Sequence, residues 1–327
     1  MIRKALIVGI DYYENASPLF GCVNDAHSIE SVLDTNSDGG KNFQTKLITS
    51  GGPDSKITRK DLKNSVEELF EGKTSVALFY FAGHGGFDNK TGGYLQTSEC
   101  EFGDSGMAME ELLMIANKSQ ALNKIIILDC CHAGATGELS MNKDFSTLSD
   151  GMTILTAASA NQYAKEENGT GVFTKLLVDA LHGSAANLLG QVTPGSAYAH
   201  IDQAIGVWGQ RPIFRTNIKK FMPLRVAQPP IPLADLKMLT ELFINKWDNF
   251  QLDPTYEPER SDEQKAIYPN PIEENTRNFK ILQKFNRVNL VVPVDAPHMW
   301  HAAMNSKSCK LTTLGERYWD LVNKNFI

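Results

Sequence analysis

An α/β fold, built on an open and mostly parallel sheet with helices on both faces, is what the first two thirds of this sequence predict. Three observations carry the prediction: four apolar runs too continuous for half-exposed strands, helical patterns alternating with them, and a change of composition near Pro223. The opening MIRKALIVGIDYY contains ALIVGI at 5–10, which reads as the first strand. NDAHSIESVLD near 24–34 and RKDLKNSVEELFE near 59–71 read as helices. VALFYF at 76–81 is the second buried strand, AMEELLMIANK near 108–118 the next helix, and KIIILD at 124–129 and MTILTA at 152–157 the third and fourth strands. VFTKLLVDALHG near 172–183 completes the set, closed by a glycine. In such sheets ligands bind outside the carboxyl ends of the strands, so chemistry is expected in the residues that follow each apolar run.

Composition divides the chain in two. Of 25 glycines, 24 precede residue 223, whereas ten of the 14 prolines lie from Pro223 onward. The first 222 residues carry 25 acidic and 19 basic side chains, and the last 105 carry 13 of each. The predicted organisation is a first domain over 1–222, a proline-rich linker over 223–232 and a second domain over 233–327. With 327 residues, 42% of them hydrophobic, the chain is large enough for two real cores. In the second domain, 233–250 reads as an amphipathic helix with Leu236, Leu239, Leu242, Phe243 and Trp247 on one side. A polar stretch, the segments FKILQKF and VNLVVPV, and a final helix in LTTLGERYWDLVNKNF follow. That set is compatible with a small α+β or winged-helix-like domain.

Several function classes are disfavoured at once. A net charge of −6 gives no general reason to expect nucleic acid or an anionic membrane as partner. No apolar stretch near the amino terminus is long enough for a signal peptide or a span of ~20 residues, so a cytoplasmic protein is expected. Five cysteines including the vicinal pair Cys130 and Cys131 do not form a disulfide framework, and no CxxC pair suggests zinc.

The strand VALFYF runs into Ala82-Gly83-His84-Gly85-Gly86, and KIIILD runs into Cys130-Cys131-His132-Ala133-Gly134. Taken singly, the first is equally a tight turn with an incidental histidine and the second a buried cysteine pair. Their conjunction changes the reading. His84 and Cys131 each follow a buried strand, with one helix between the strands, and a parallel crossover of that kind brings both loops to one sheet edge. A cysteine nucleophile and a histidine base need that arrangement.

Tyr80-Phe81-Ala82-Gly83-His84-Gly85 and Asp129-Cys130-Cys131-His132-Ala133-Gly134 resemble the histidine and cysteine motifs of metacaspases and bacterial caspase-like peptidases. Phe20-Gly21-Cys22-Val23-Asn24-Asp25-Ala26 resembles a third segment of that family, and Gly171-Val172-Phe173-Thr174 and Gln210-Arg211-Pro212-Ile213-Phe214 resemble later ones. The resemblance covers residues 1–222 and implies a caspase-like fold and a cysteine endopeptidase. It makes Cys131 the nucleophile and His84 the base, with backbone N–H groups near Gly85 and Cys131 as oxyanion donors. No third catalytic residue is assignable from sequence. The resemblance also implies that Asp25 and Asp129 form the base of the pocket for the residue preceding the scissile bond. Paired carboxylates suit a guanidinium, so cleavage after Arg or Lys is expected. The alternatives are a strand-end hydrogen bonder for Asp129 and a helix N-cap for Asp25.

One departure concerns calcium, which activates many metacaspases through acidic residues beyond the histidine. Here 87–95 offers one carboxylate, Asp88, and adding Asp104 does not assemble the six or more oxygens calcium usually takes. No metal site is therefore expected, and another trigger is. The loop 135–150 contains Lys143 and reads either as a self-processing site or as a solvated loop. The second domain reads as a control element that senses a nucleotide-like signal, as in prokaryotic defence systems, recruits a protein partner, or binds DNA; its charge balance argues against the last. Trp300 and Trp319 are candidate ligand-stacking residues, the alternative being that its aromatics are the core of a small domain. For the whole chain, a catalytically silent scaffold is the competing reading.

Overall fold

The computed structural model describes residues 2–88, 92–101, 106–130, 148–157, 166–167, 170–206 and 211–327. Two compact units make up the chain, Met1–Gln228 and Pro229–Ile327.

The first unit opens with β1 (Arg3–Ile10), α1 (Cys22–Asp34), β2 (Gln44–Ser50), α2 (Arg59–Phe70) and β3 (Val76–Ala82). Next come β4 (Gly85–Asp88), β5 (Gly92–Leu95) and β6 (Met107–Ala108), which form a small antiparallel sheet of their own, then α3 (Met109–Lys118), β7 (Asn123–Asp129) and β8 (Met152–Thr156). The hairpin β9 (Glu166–Glu167) and β10 (Thr170–Gly171) leads into α4 (Val172–Asp179), followed by β11 (Gln191–Val192), α5 (Pro194–Ile205), β12 (Ile213–Asn217) and β13 (Arg225–Val226). The central sheet has the order β12-β8-β7-β3-β1-β2. Its first five strands in chain order are parallel, and only the edge strand β12 runs antiparallel, to β8.

Strand alternation sorts the apolar runs onto two faces. Ala5, Ile7, Leu78, Tyr80, Ile125, Ile127 and Leu155 pack with α1, α4 and α5, while Leu6, Val8, Phe79, Phe81, Ile126, Leu128 and Ile154 pack with α2 and α3. This is why those segments read as continuous hydrophobic runs: both faces are covered. A Cβ on Gly9 would stand 2.3 Å from the Cys22 carbonyl oxygen, so glycine there lets α1 lie close on β1. After β1 the chain goes to β2 on one side and after β2 to β3 on the other, so the order reverses between β1 and β3. That junction is where an open α/β sheet forms its crevice.

Residues 223–227, where the sequence suggests a linker, pack into the first unit. Leu224 and Ala227 belong to its core, and β13 pairs with β11. The Arg3 guanidinium, stacked 4.3 Å over the Phe43 ring, donates to the carbonyls of Pro223 (2.7 Å) and Leu224 (3.2 Å), and Asn42 Nδ2 donates to Leu224 as well. Burial lowers the Arg3 pKa to about 10.

The second unit is α+β. It comprises α6 (Leu233–Lys237), α7 (Leu239–Leu242), β14 (Asn249–Gln251), α8 (Asp262–Ile267), α9 (Glu273–Arg287), β15 (Val291–Val294), α10 (Met299–Met304), β16 (Ser308–Leu311) and α11 (Thr313–Asn323). The three strands form an antiparallel sheet in the order β14-β16-β15, and Phe279, Leu282 and Phe285 are the buried stripe of α9. The single helix expected over 233–250 is instead two short helices. Phe243 is extended, and Asp248 accepts from the backbone and side-chain N–H groups of Asn245, a local turn that competes with helix. Trp247 consequently lies beyond the helices, 77% exposed, rather than on an apolar face.

Candidate active site

The β1–β3 junction gathers the predicted histidine with residues the sequence did not single out. His84 follows the end of β3 by two positions, and three hydrogen bonds hold it. Its backbone N–H donates to the Tyr13 hydroxyl (2.7 Å), its carbonyl accepts from Gln96 N–H (2.9 Å), and its Nε2 lies 2.8 Å from the carbonyl oxygen of Ser17. A carbonyl can only accept, so Nε2 carries the hydrogen and Nδ1 is left as the basic nitrogen. Tyr13 also packs its ring against the imidazole, with centroids 4.6 Å apart. Burial raises the Tyr13 pKa well above the ordinary tyrosine value, so it remains a neutral hydroxyl. Ser17 acts through its main chain, which leaves no side-chain signature to read. Ser17 and Gln96, the two backbone partners of His84, line with Tyr94 part of a cleft of about 620 Å³.

β7 is the parallel neighbour of β3, with Ala82 opposite Asp129. The His84 loop and the segment that begins with Cys130 therefore leave the sheet at the same level. Cys130 is fully buried. Cys131 and His132 lie outside the described residues, as do Asp104 and Lys143. Gly85, the expected oxyanion donor on the histidine side, is the first residue of β4 and pairs with Leu95.

Asp25 and Asp129 are brought together although 104 positions separate them in sequence. Both are buried, and both reach the start of α4. Gly171 N–H donates to Asp25 Oδ2 (2.9 Å), and Thr174 Oγ1 donates to Asp129 Oδ2 (2.7 Å). A Cβ built on Gly171 would stand 2.5 Å from Asp129 Oδ2 and 3.0 Å from Asp25 Oδ2, so the two carboxylates close on the same point. α1 begins at Cys22 with Gly21 as its N-cap, which places Asp25 a full turn inside and excludes the capping role for its side chain. The strand-end alternative for Asp129 describes its bond to Thr174 and leaves the convergence with Asp25 unexplained.

Among the described residues no three His, Cys, Asp or Glu side chains are grouped to hold a metal ion, and no helix is long and apolar enough to cross a membrane. The two candidate ligand-stacking tryptophans lie on different helices, and each indole N–H has a backbone partner in its own unit. Trp300 donates to the Glu259 carbonyl (3.4 Å) and Trp319 to the Phe243 carbonyl (2.7 Å).

Removing the Tyr13 hydroxyl tests how much of the histidine's placement rests on it. Tyr13→Phe leaves the His84 amide without its acceptor, and the expected result is a fall in kcat of about threefold to tenfold with KM unchanged, measured by steady-state kinetics.

A model of the caspase domain matches residues 2–299 of the chain. Metacaspase-1 of Mycosarcoma maydis is 26% identical over 150 residues, covering 42% of this chain and 37% of that protein, and Metacaspase-1 of Saccharomyces cerevisiae is 27% identical over 150 residues, covering 42% and 34%. The matched region thus spans little more than a third of those relatives. The crystal structure of Caspase-1 from Spodoptera frugiperda, 13% identical, superposes with a TM-score of 0.51 over 69% of this chain and 90% of its own, a likeness of fold. With the family model spanning most of its length, and with its histidine at the crevice of a doubly wound sheet, the chain belongs to the caspase domain family.

Proposed function

We propose that the chain is a cysteine endopeptidase that cleaves proteins after arginine or lysine, with Cys131 as nucleophile and His84 as the proton carrier. The observation that carries this reading is the level pairing of Ala82 with Asp129, which delivers the His84 loop and the cysteine-bearing segment to one edge of the sheet. His84 Nδ1 takes the thiol proton while Nε2–H stays on the Ser17 carbonyl. The thiolate attacks the peptide carbonyl carbon, and the backbone N–H groups of Cys131 and Gly85 receive the developing oxyanion. Collapse breaks the C–N bond, the leaving amine takes the proton from His84, and water then hydrolyses the thioester. Asp25 and Asp129 receive the cationic side chain preceding the scissile bond.

The second unit acts as the gate, since unrestrained cleavage after basic residues in the cytoplasm would be hazardous, and the trigger is a small nucleotide-like signal of a defence or cell-death pathway. Its compact fold and separate composition support an independent sensing role. A thermal-shift screen of the full chain against nucleotides is expected to give a stabilising shift. No shift with any nucleotide would transfer the gating role to a protein partner.

The peptidase reading is tested with fluorogenic peptides ending in Arg, Lys or Asp and with an arginyl chloromethyl ketone, with and without lysate supplying the trigger. The expected result is turnover of the Arg and Lys peptides only, covalent labelling at Cys131, and loss of both in Cys131→Ala. An absence of turnover and of labelling under every condition would leave a silent scaffold.

A further inference from the structure

The first turn of α4 touches both acids at once. Within four residues it supplies the Gly171 amide to Asp25 and the Thr174 hydroxyl to Asp129. Behind Thr174 stands Tyr80 of β3, its hydroxyl 2.5 Å from Thr174 Oγ1. Thr174 has one hydroxyl hydrogen, and with that committed to the carboxylate it can only accept from Tyr80. The chain of donors therefore runs from Tyr80 to Thr174 to Asp129. Tyr80 and Thr174 are completely buried, and Asp25 and Asp129 nearly so. Burial, with the charges of Asp129 and Asp25 adding to it, raises the Tyr80 pKa well above the ordinary value, so this hydroxyl stays a donor.

Two carboxylates close together in a buried site repel each other, and burial alone favours their neutral forms. Hydrogen bonds donated to the charged form oppose both effects, and the amino-terminal end of a helix adds a favourable field. A neutral pair would have no charge to offer a guanidinium, and a pair free to turn would lose the planar match.

Resting on the reading of Asp25 and Asp129 as the pocket acids, we propose that the Gly171–Thr174 turn with Tyr80 sets selectivity for a basic side chain by fixing both carboxylates as an oriented anionic pair. Thr174 and Tyr80 are positioning residues: they act through Asp129 and need touch no substrate. Gly171 leaves room for the two acids to meet.

The test uses the full chain and two peptides that differ only in arginine or its uncharged isostere citrulline before the scissile bond. Thr174→Val is expected to raise KM for the arginine peptide about tenfold with kcat little changed, and to lower the arginine-over-citrulline preference by a similar factor. Thr174→Ser, which keeps the hydroxyl, restores both, and Tyr80→Phe shifts them a few-fold in the same direction. A purely structural role would lower kcat and thermal stability without touching the preference, and that result overturns the proposal. Should Thr174→Val fail to fold, Tyr80→Phe with an unchanged KM and preference is the overturning result. Asp129→Asn separates the two levels of inference. If it removes the preference while Thr174→Val and Tyr80→Phe do not, the acids form the pocket and the turn does not tune it. If Asp129→Asn leaves the preference intact, the pocket assignment itself falls.

Discussion

Alanine at Gly171 is expected to lower kcat/KM on arginine peptides by at least about a hundredfold, a loss of roughly 2.7 kcal/mol in transition-state stabilisation. The backbone gives no reason for such an effect. Gly171 has φ −66° and ψ 130°, a conformation that any residue adopts. Space alone demands glycine: a methyl group would sit 2.5 Å from one carboxylate oxygen and 3.0 Å from the other. Either the acids turn away, breaking the bonds to Gly171 N–H and Thr174 Oγ1, or the first turn of α4 withdraws. Both outcomes would dismantle the proposed pocket while leaving His84 in place, so labelling of Cys131 by a small uncharged alkylating agent is expected to continue at the wild-type rate. Undiminished cleavage of the arginine peptide by the Gly171→Ala protein would mean that the basic side chain binds elsewhere.

His84→Ala is the complementary experiment. On the proposed mechanism, removing the imidazole removes the group that takes the thiol proton and returns one to the leaving amine, and kcat is expected to fall by about 10² to 10⁴ with KM for arginine peptides unchanged. Chloromethyl ketone labelling is expected to slow in parallel, because the thiolate is the reacting form. An unchanged labelling rate would show that another group activates Cys131.

The parts of the fold that were legible in the sequence are those with both faces covered. β1, β3, β7 and β8 announce themselves as apolar runs because helices pack on each side of them. β2, the sheet's edge, was not read: in QTKLITS only Ser50 is fully buried, and its alternating exposure dilutes the hydrophobic signal below that of a loop. The edge strand β12 was not read as a strand for a similar reason, since IFRTN is only partly buried before it becomes exposed. At the site, His84 was singled out only together with Cys131, each following a buried strand, whereas Asp25 and Asp129 could be paired only through resemblance to a family, their approach to one point at Gly171 being a property of tertiary packing. Ser17 acts through a backbone atom, Tyr13 looks like one of two interchangeable tyrosines, and Tyr80 reads as one more apolar residue of a buried run. In each case the group that matters is decided by where the chain folds, beyond what residue type can encode.

The clamp that Arg3 and Asn42 place on the Pro223 and Leu224 carbonyls has a practical corollary for dissecting the molecule. A recombinant fragment stopped at residue 222, where composition changes, would keep Arg3 and remove both carbonyls it bonds, leaving a half-buried cation without those partners along with an unpaired β11 and the space vacated by Leu224 and Ala227. Such a fragment is expected to be destabilised for reasons unrelated to catalysis, and any loss of activity would be mistaken for dependence on the second unit. The scissors belong after Gln228, where the first unit ends.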